Sequence, residues 1–371
     1  MTVDPRDILI ISRIPGVGPN RLRALLTRFG DASALASAPD RSLRRIEGIE
    51  EKTAASITAF FRSGAAEEAA RFADDQRARS ERAGARAVTL WDPSYPPSLR
   101  NIYDPPPLLF VRGTLTEEDS RSVAVVGTRR PSPYGILMAE RFALALAQFG
   151  LPVVSGLARG IDSAAHAASV RSGNRTLAVI GSGIDIIYPS ENRGLAEKIA
   201  LCGAVLSELP FGAKPDAANF PRRNRIVSGM SLATLVIESP PGGGAMITAG
   251  MALDQGRDVF AVPSAVSPNS RSGTNLLIKE GKAKLTECVD DILEELAPHL
   301  LRLKQPTPRP GAADLSLFER TLLDAVGNDP VHVDALAARA HVTVPDALVL
   351  LLSLEFKGAV RQMPGKRFVR L

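Results

Sequence analysis

From Ser122 to about Pro298 the chain alternates short β-branched runs with alanine-rich stretches of helical length. The runs V-A-V-V-G, L-P-V-V-S-G, T-L-A-V-I-G, A-V-L-S-E, T-L-V-I-E, D-V-F-A-V-P and A-K-L-T-E are mostly continuous in apolar character. Strands that read this way are covered on both faces. Seven of them with helices between predict an α/β fold, an extended Rossmann-like doubly wound parallel sheet. Before this block the period is helical. Pro15 to Gly30 gives a glycine turn and then Leu22, Leu25 and Leu26 on one helix face, and Arg45 to Phe60 repeats the unit. Residues 62 to 83 read as a charged, solvated helix joining domains, and a proline-rich lead-in then ends in a strand at L-L-F-V-R-G. Residues 301 to 314 predict a proline-rich linker. Leu315 to Leu371 predicts three helices and a β-ribbon, the order of a winged helix. The expected divisions are 1–82 (helical), 83–300 (sheet), 301–314 (linker) and 315–371 (winged-helix-like).

Composition changes this picture little. Of 371 residues 45% are hydrophobic and 23% charged, ordinary for a globular protein. A formal charge of +5 and a pI near 9.4 lean toward a polyanionic partner. Cys202 and Cys288 fit no disulfide or zinc spacing and read as small core residues. The opening M-T-V-D-P-R-D does not read as a signal peptide. The longest apolar runs, such as Ala347 to Phe356, fall short of the roughly 20 residues of a membrane span, so a cytoplasmic protein is expected.

In a parallel sheet the ligand site lies beyond the carboxyl ends of the strands. Four successive loops there are rich in glycine. The first is G-T-R-R-P-S-P-Y-G, with Gly127, Thr128, Arg129 and Arg130. The second is S-G-L-A-R-G-I-D-S-A-A-H, with Ser155, Gly156, Arg159, Gly160, Asp162 and His166. The others are G-S-G-I-D-I-I-Y-P and S-P-P-G-G-G-A-M-I-T-A-G, the latter with Gly243 and Gly244. Glycines admit an anion to backbone N–H groups, and helix N-termini carry partial positive charge. Each loop alone is only a tight turn; four converging loops with arginines predict phosphate binding. The stretch N-F-P-R-R-N-R-I-V-S-G adds Phe220 beside Arg222, Arg223, Asn224 and Arg225. Cations that track a backbone next to a ring that stacks a base suit single-stranded nucleic acid. The competing reading puts Phe220 in the core and an arginine on a cap or an acid.

Catalytic signals are poorer. His166 has no evident partner, no zinc pattern appears, and no Walker lysine follows a phosphate loop. Glu238 is the best lone acid, and it reads equally as a structural anchor. No catalytic residue, metal or cofactor is expected.

The two N-terminal repeats resemble helix-hairpin-helix units, whose hairpin N–H groups can grip a phosphate. Gly16 and Gly18 make the first a possible extra phosphate contact or a packing unit. The second keeps Gly48 but has Glu50 in place of another glycine, and we expect it only to pack.

Taken in order, G-T-R-R-P-S-P-Y-G, S-G-L-A-R-G-I-D-S-A-A-H, G-S-G-I-D-I-I-Y-P-S-E-N, N-F-P-R-R-N-R-I-V-S-G and G-R-D-V-F-A-V-P with S-G-T-N-L-L-I-K-E-G resemble the DNA-processing protein A (DprA/Smf) family over residues 90 to 290. The resemblance implies a non-enzymatic protein of natural transformation. Such a protein binds incoming single-stranded DNA, forms a homodimer through the Rossmann-like domain and helps load the recombinase RecA. It points to Arg129, the loop around Gly160, and Phe220 with Arg222, Arg223 and Arg225 as the pocket. The chain departs from the family where Gly243 to Ala249 replaces S-G-S-L-x-T-A, with two hydroxyls missing, and at Ser264, where glycine is common. The P-G-G-G of Pro241 to Gly244 also resembles Rossmann-like nucleotide phosphoribohydrolases acting on nucleoside monophosphates. Ala245 and Met246 interrupt that motif, so this reading stands second. A structural adaptor binding through its end domains is a third. The candidate recognition helix V-P-D-A-L-V-L-L-L-S-L-E-F-K-G is too apolar and too poor in cations to read duplex DNA. Protein contact, or weak contact through Arg361, Lys366, Arg367 and Arg370, fits the last domain better.

Overall fold

The computed structural model describes residues 2–266, 272–296, 316–327, 331–356, 359–363 and 365–370. The predicted linker at 301–314 lies outside them. The chain divides into two compact units, Met1–Ala297 and Pro298–Leu371.

The first unit begins with six helices: α1 (Pro5–Ile11), α2 (Pro19–Phe29), α3 (Ala32–Ala36), α4 (Asp40–Leu43), α5 (Glu51–Arg62) and α6 (Ala65–Arg82). Gly16, at φ +80°, turns the chain into α2, which Pro19 opens in the position where a missing N–H costs nothing. Leu22, Leu25 and Leu26 are buried, as their spacing predicts. Helix α6 corrects the expectation of a solvated connector. Ala69, Ala73, Gln76 and Ser80 form a buried stripe of mostly small residues down an otherwise charged helix. The Gln76 side-chain oxygen accepts a hydrogen bond from the Phe211 N–H at 2.6 Å. One apolar cluster therefore runs from the helices to Leu108, Phe110 and Phe211 of the sheet layer.

The sheet elements follow as β1 (Ala85–Thr89), α7 (Pro97–Arg100), β2 (Leu108–Gly113), β3 (Val123–Val126), α8 (Pro133–Gln148), β4 (Val153–Ser155), α9 (Ile161–Arg171), β5 (Thr176–Val179), α10 (Arg193–Cys202), β6 (Ala204–Ser207), α11 (Asn219–Gly229), β7 (Ala233–Val236), α12 (Gly244–Asp254), β8 (Asp258–Ala261), α13 (Gly273–Lys279), β9 (Lys284–Leu285) and α14 (Val289–Leu296). They form nine strands in the order β1-β2-β6-β5-β4-β3-β7-β8-β9. All seven strands predicted from the apolar runs are present and parallel, β3 through β9. Strands β1 and β2 extend the edge antiparallel. Strand β1 eluded the pattern because A-R-A-V-T is short and carries a charge at the sheet edge. From β3 the chain builds outward through β6, then crosses back to lay β7 on the other side of β3. Connections leave β3 and β7 in opposite directions, and a crevice opens at that reversal.

In the second unit, helices Leu317–Ala325, Val333–Arg339 and Val344–Phe356 accompany a three-stranded sheet, β10 (Val331–His332), β12 (Arg367–Arg370) and β11 (Val360–Met363) in that order. Leu322, Leu336, Ala347, Leu351, Leu354 and Phe368 form its core. The last helix thus spends one side on the core, while Val349 and Leu352 stay exposed. Cys202 and Cys288 are free and half-buried, not the fully buried residues expected. Among the described residues no single helix is long and apolar enough to cross a membrane.

Candidate nucleic-acid interface

A groove of about 730 Å³ lies over the carboxyl ends of the central strands. Gly127 to Arg130 follow β3 and form one wall; Gly243 to Ala245, at the start of α12, form the other. The floor is set by close approach between loops. Gly160 sits at φ +80° against the Thr128 carbonyl, where any Cβ would collide with backbone. Gly156 leaves the space taken by the Arg223 guanidinium. These two glycines let protein groups meet, which is a different use from the phosphate approach expected of them. Ser155 is buried below the groove and gives its hydroxyl proton to the Val125 carbonyl at 2.6 Å.

The N-F-P-R-R-N-R stretch is the first seven of the 11 residues of α11, and this alters its reading. Successive helical residues point about 100° apart, so cations adjacent in sequence diverge. Arg223 enters the protein and is 5% exposed; its guanidinium donates to the Gly156 and Val179 carbonyls. Burial lowers its pKa to about 10, and it stays charged at neutral pH. Nearby Asp162, buried at the groove, accepts from the Gly156 and Ala158 N–H groups at 3.1 and 3.3 Å. Burial pushes its carboxyl upward, against the pull of Arg223. Arg225 turns to the opposite side and pairs with Asp104 at 2.8 Å and Glu208 at 2.7 Å. Arg222 is exposed but outside the groove lining. Of the three arginines, then, Arg223 lines the groove from below with one amino group given to two carbonyls, while Arg225 is a buried structural pair with no free guanidinium for a phosphate. Asn224 lines the α12 wall, its amide 3.5 Å from the Gly244 carbonyl.

The exposed chemistry gathers at one end. Phe220 is half-buried, with Gly181 against its edge. The Arg129 guanidinium carbon lies 5.2 Å from the centre of its ring, and Tyr188 stands 5.9 Å away, tilted by 44°. Arg130 is exposed beside them. Arg159 borders the same recess, held by Glu191 through contacts of 2.6 and 2.8 Å. Tyr188 was not singled out in the sequence, although it lies in the third glycine-rich loop. An aromatic at the end of such a loop is the signal that could have found it. Helix α12 has no side-chain cap, and Gly243, Gly244 and Ala245 at its start line the groove. By contrast Glu238 occupies the start of α8, accepting from the Ser132 N–H at 3.1 Å and its hydroxyl at 2.8 Å.

His166 does have a partner: Nδ1 lies 2.8 Å from the Thr176 hydroxyl in full burial. Burial and the Arg223 charge hold its pKa down at about 3. Among the described residues no group of three His, Cys, Asp or Glu side chains is placed to hold a metal. In the first hairpin Gly18 has open space around it, while the Gly16 carbonyl accepts from Arg21 Nη1 at 2.7 Å.

Comparison with known proteins agrees in all three parts. Residues 86–297 match the family DNA recombination-mediator protein A, 305–366 the DprA winged helix domain, and 8–63 the SAM-like helix-hairpin-helix tandem. Protein Smf of Synechocystis sp. is 34% identical, covering 97% of each chain. The X-ray structure of DNA processing protein A from Streptococcus pneumoniae superposes with a TM-score of 0.67 at 33% identity, over 80% of this chain and 99% of that one. DNA processing protein A from Helicobacter pylori, solved for its single-stranded DNA binding mode, gives 0.51 at 29% identity, over 58% and 96%.

Proposed function

Since the chain belongs to the DNA recombination-mediator protein A (DprA/Smf) family, we propose that it binds single-stranded DNA in the groove without catalysis, and as a homodimer helps load RecA recombinase onto incoming DNA during natural transformation. The observation that carries the binding reading is the Arg129–Phe220–Tyr188 cluster at the mouth of a positively charged groove. Two rings of half-exposed character offer stacking surface to unpaired bases, worth about 1–3 kcal/mol per base and indifferent to sequence. Arg129 covers the Phe220 face in the structure. On binding, its guanidinium moves from ring to phosphate and frees the ring for a base. Arg130 and the first N–H groups of α12 take further phosphates, and Arg223 adds a fixed positive charge from below.

Glu238 supports a non-enzymatic reading over nucleotide hydrolysis. Its carboxylate is engaged at the start of α8 and is not aimed at a substrate from the glycine loop. The Helicobacter pylori relative, by its title a single-stranded DNA binder, lends weight to the proposed ligand.

The test is a fluorescence-anisotropy titration with an oligothymidine strand and with its duplex, over a range of salt, with release of adenine from AMP followed in the same sample. We expect single strands to be preferred. The log–log salt slope should reflect about 0.7 per phosphate contacted, and no adenine should appear. Equal affinity for both forms together with adenine release would overturn the proposal. Sedimentation of the full chain tests the homodimer, and the rate at which RecA filaments form on protein-covered DNA tests loading.

A further inference from the structure

A second patch combines cations with an aromatic ring, outside the groove. Helix α2 of the first hairpin presents Arg21, Arg23 and Arg28 to a cleft of about 650 Å³, closed on its far side by Tyr103, with Glu47 the one acid in the lining. Arg23 and Arg28 have no carboxylate partner among the described residues, while Arg21 is engaged with the Gly16 carbonyl. Tyr103 is 85% exposed, which wastes a large ring as far as folding is concerned. Its backbone is nonetheless fixed. Ile102 is buried against Gly229 of α11, and Asp104 pairs with Arg225 of the same helix at 2.8 Å. Anchored on both sides, the ring is held in solvent on a stiff support, so little ordering cost remains for a ligand that stacks on it.

Helix α11 also relates the two sites. Phe220 at its start lines the groove, and Arg225, which holds the Tyr103 loop, lies five residues on, about 7.5 Å of helical rise. Exposed Arg222 stands between them in sequence. We infer that the Tyr103 cleft is a second nucleic-acid contact, taking the sugar–phosphate backbone and one base of the same strand after it leaves the groove. This rests on the groove reading. It makes the footprint of one chain longer than the groove alone.

The experiment compares the full chain with Arg28→Glu, Tyr103→Ala and Tyr103→Phe on oligothymidines of roughly 6 and 25 nucleotides, brackets around the span one small binding domain covers. Arg129→Ala is measured alongside. On the long strand Tyr103→Ala should weaken binding about fivefold, with Tyr103→Phe close to the parent. Arg28→Glu should lower the salt slope by about 0.7 or more. On the short strand all three should match the parent. No change at either length, or an equal loss at both, would overturn the second contact. Arg129→Ala separates the two readings. If it leaves both lengths unaltered, the groove reading falls, while a loss in Arg28→Glu confined to the long strand still upholds the cleft.

Discussion

At the mouth of the groove Arg129 is exposed, rests on Phe220 and is free to exchange that ring for a phosphate. A short distance away on α11, Arg223 and Arg225 are buried; Arg223 gives one amino group to two carbonyls, and Arg225 is held by two carboxylates. The side chain is the same; its solvation differs. A solvated guanidinium can trade water and counterions for a ligand at small cost. A buried one has lost its water, and its partners must stay or the charge is stranded. The comparison teaches that an arginine-rich motif can build a binding surface as well as touch the ligand.

The comparison breaks most easily at Arg225. Arg225→Ala should cost about 3–5 kcal/mol in urea denaturation because it strands Glu208, itself only 11% exposed. Arg129→Ala should leave stability within about 0.5 kcal/mol. A stable Arg225→Ala that binds DNA poorly would place Arg225 among the ligand contacts and abolish the distinction. Phe220→Ala is next. We expect a loss of about 1–3 kcal/mol in single-strand affinity with the salt slope unchanged, since a ring and not a charge is removed. A loss of stability with no loss of affinity would return the ring to the core.

The floor is also probed through pH. His166 is held neutral, with its pKa lowered from 6.5 to about 3, so below pH 6.5 the unfolded chain gains a proton that the folded chain refuses. Its contribution to stability therefore falls as pH falls through 6.5 and goes on falling until about 3. Between pH 7 and 5.5 this amounts to about 1 kcal/mol. His166→Gln should flatten the pH-dependent change in unfolding free energy, read from urea denaturation, by that amount. An unaltered pH profile would mean that the ring is hydrated in the folded state. The finest distinction is the salt dependence of Arg129→Ala: several-fold weaker binding and a slope lower by about 0.7. An unchanged slope would show that Arg129 never leaves Phe220 for a phosphate.

The Rossmann-like sheet was legible because burial on both faces demands continuous apolar runs, and six of them stand in the sequence from Val123 to Val262; the seventh strand, Lys284–Leu285, is an exposed edge rather than the buried strand expected. The position of the candidate groove followed, since a crevice opens where a doubly wound sheet reverses direction and the glycine-rich loops mark the strand ends. Arg129 and Phe220 could be read from that pattern. The role of α6 could not, because a stripe of Ala69, Ala73, Gln76 and Ser80 carries almost no hydropathy signal; what makes it a packing face is its small size.

Sequence alone determined the class of fold, the edge of the sheet that carries the site and its positive, glycine-rich character. These follow from local periodicity and from rules of chain direction. Tertiary structure decided which arginines remain available. That depends on the phase of α11 and on carboxylates and carbonyls contributed by residues as distant as Asp104 and Gly156. It likewise brought Tyr188 to Phe220 and fixed Tyr103 over α2. A side chain's solvation is a property of everything packed around it, and no stretch of sequence contains that neighbourhood.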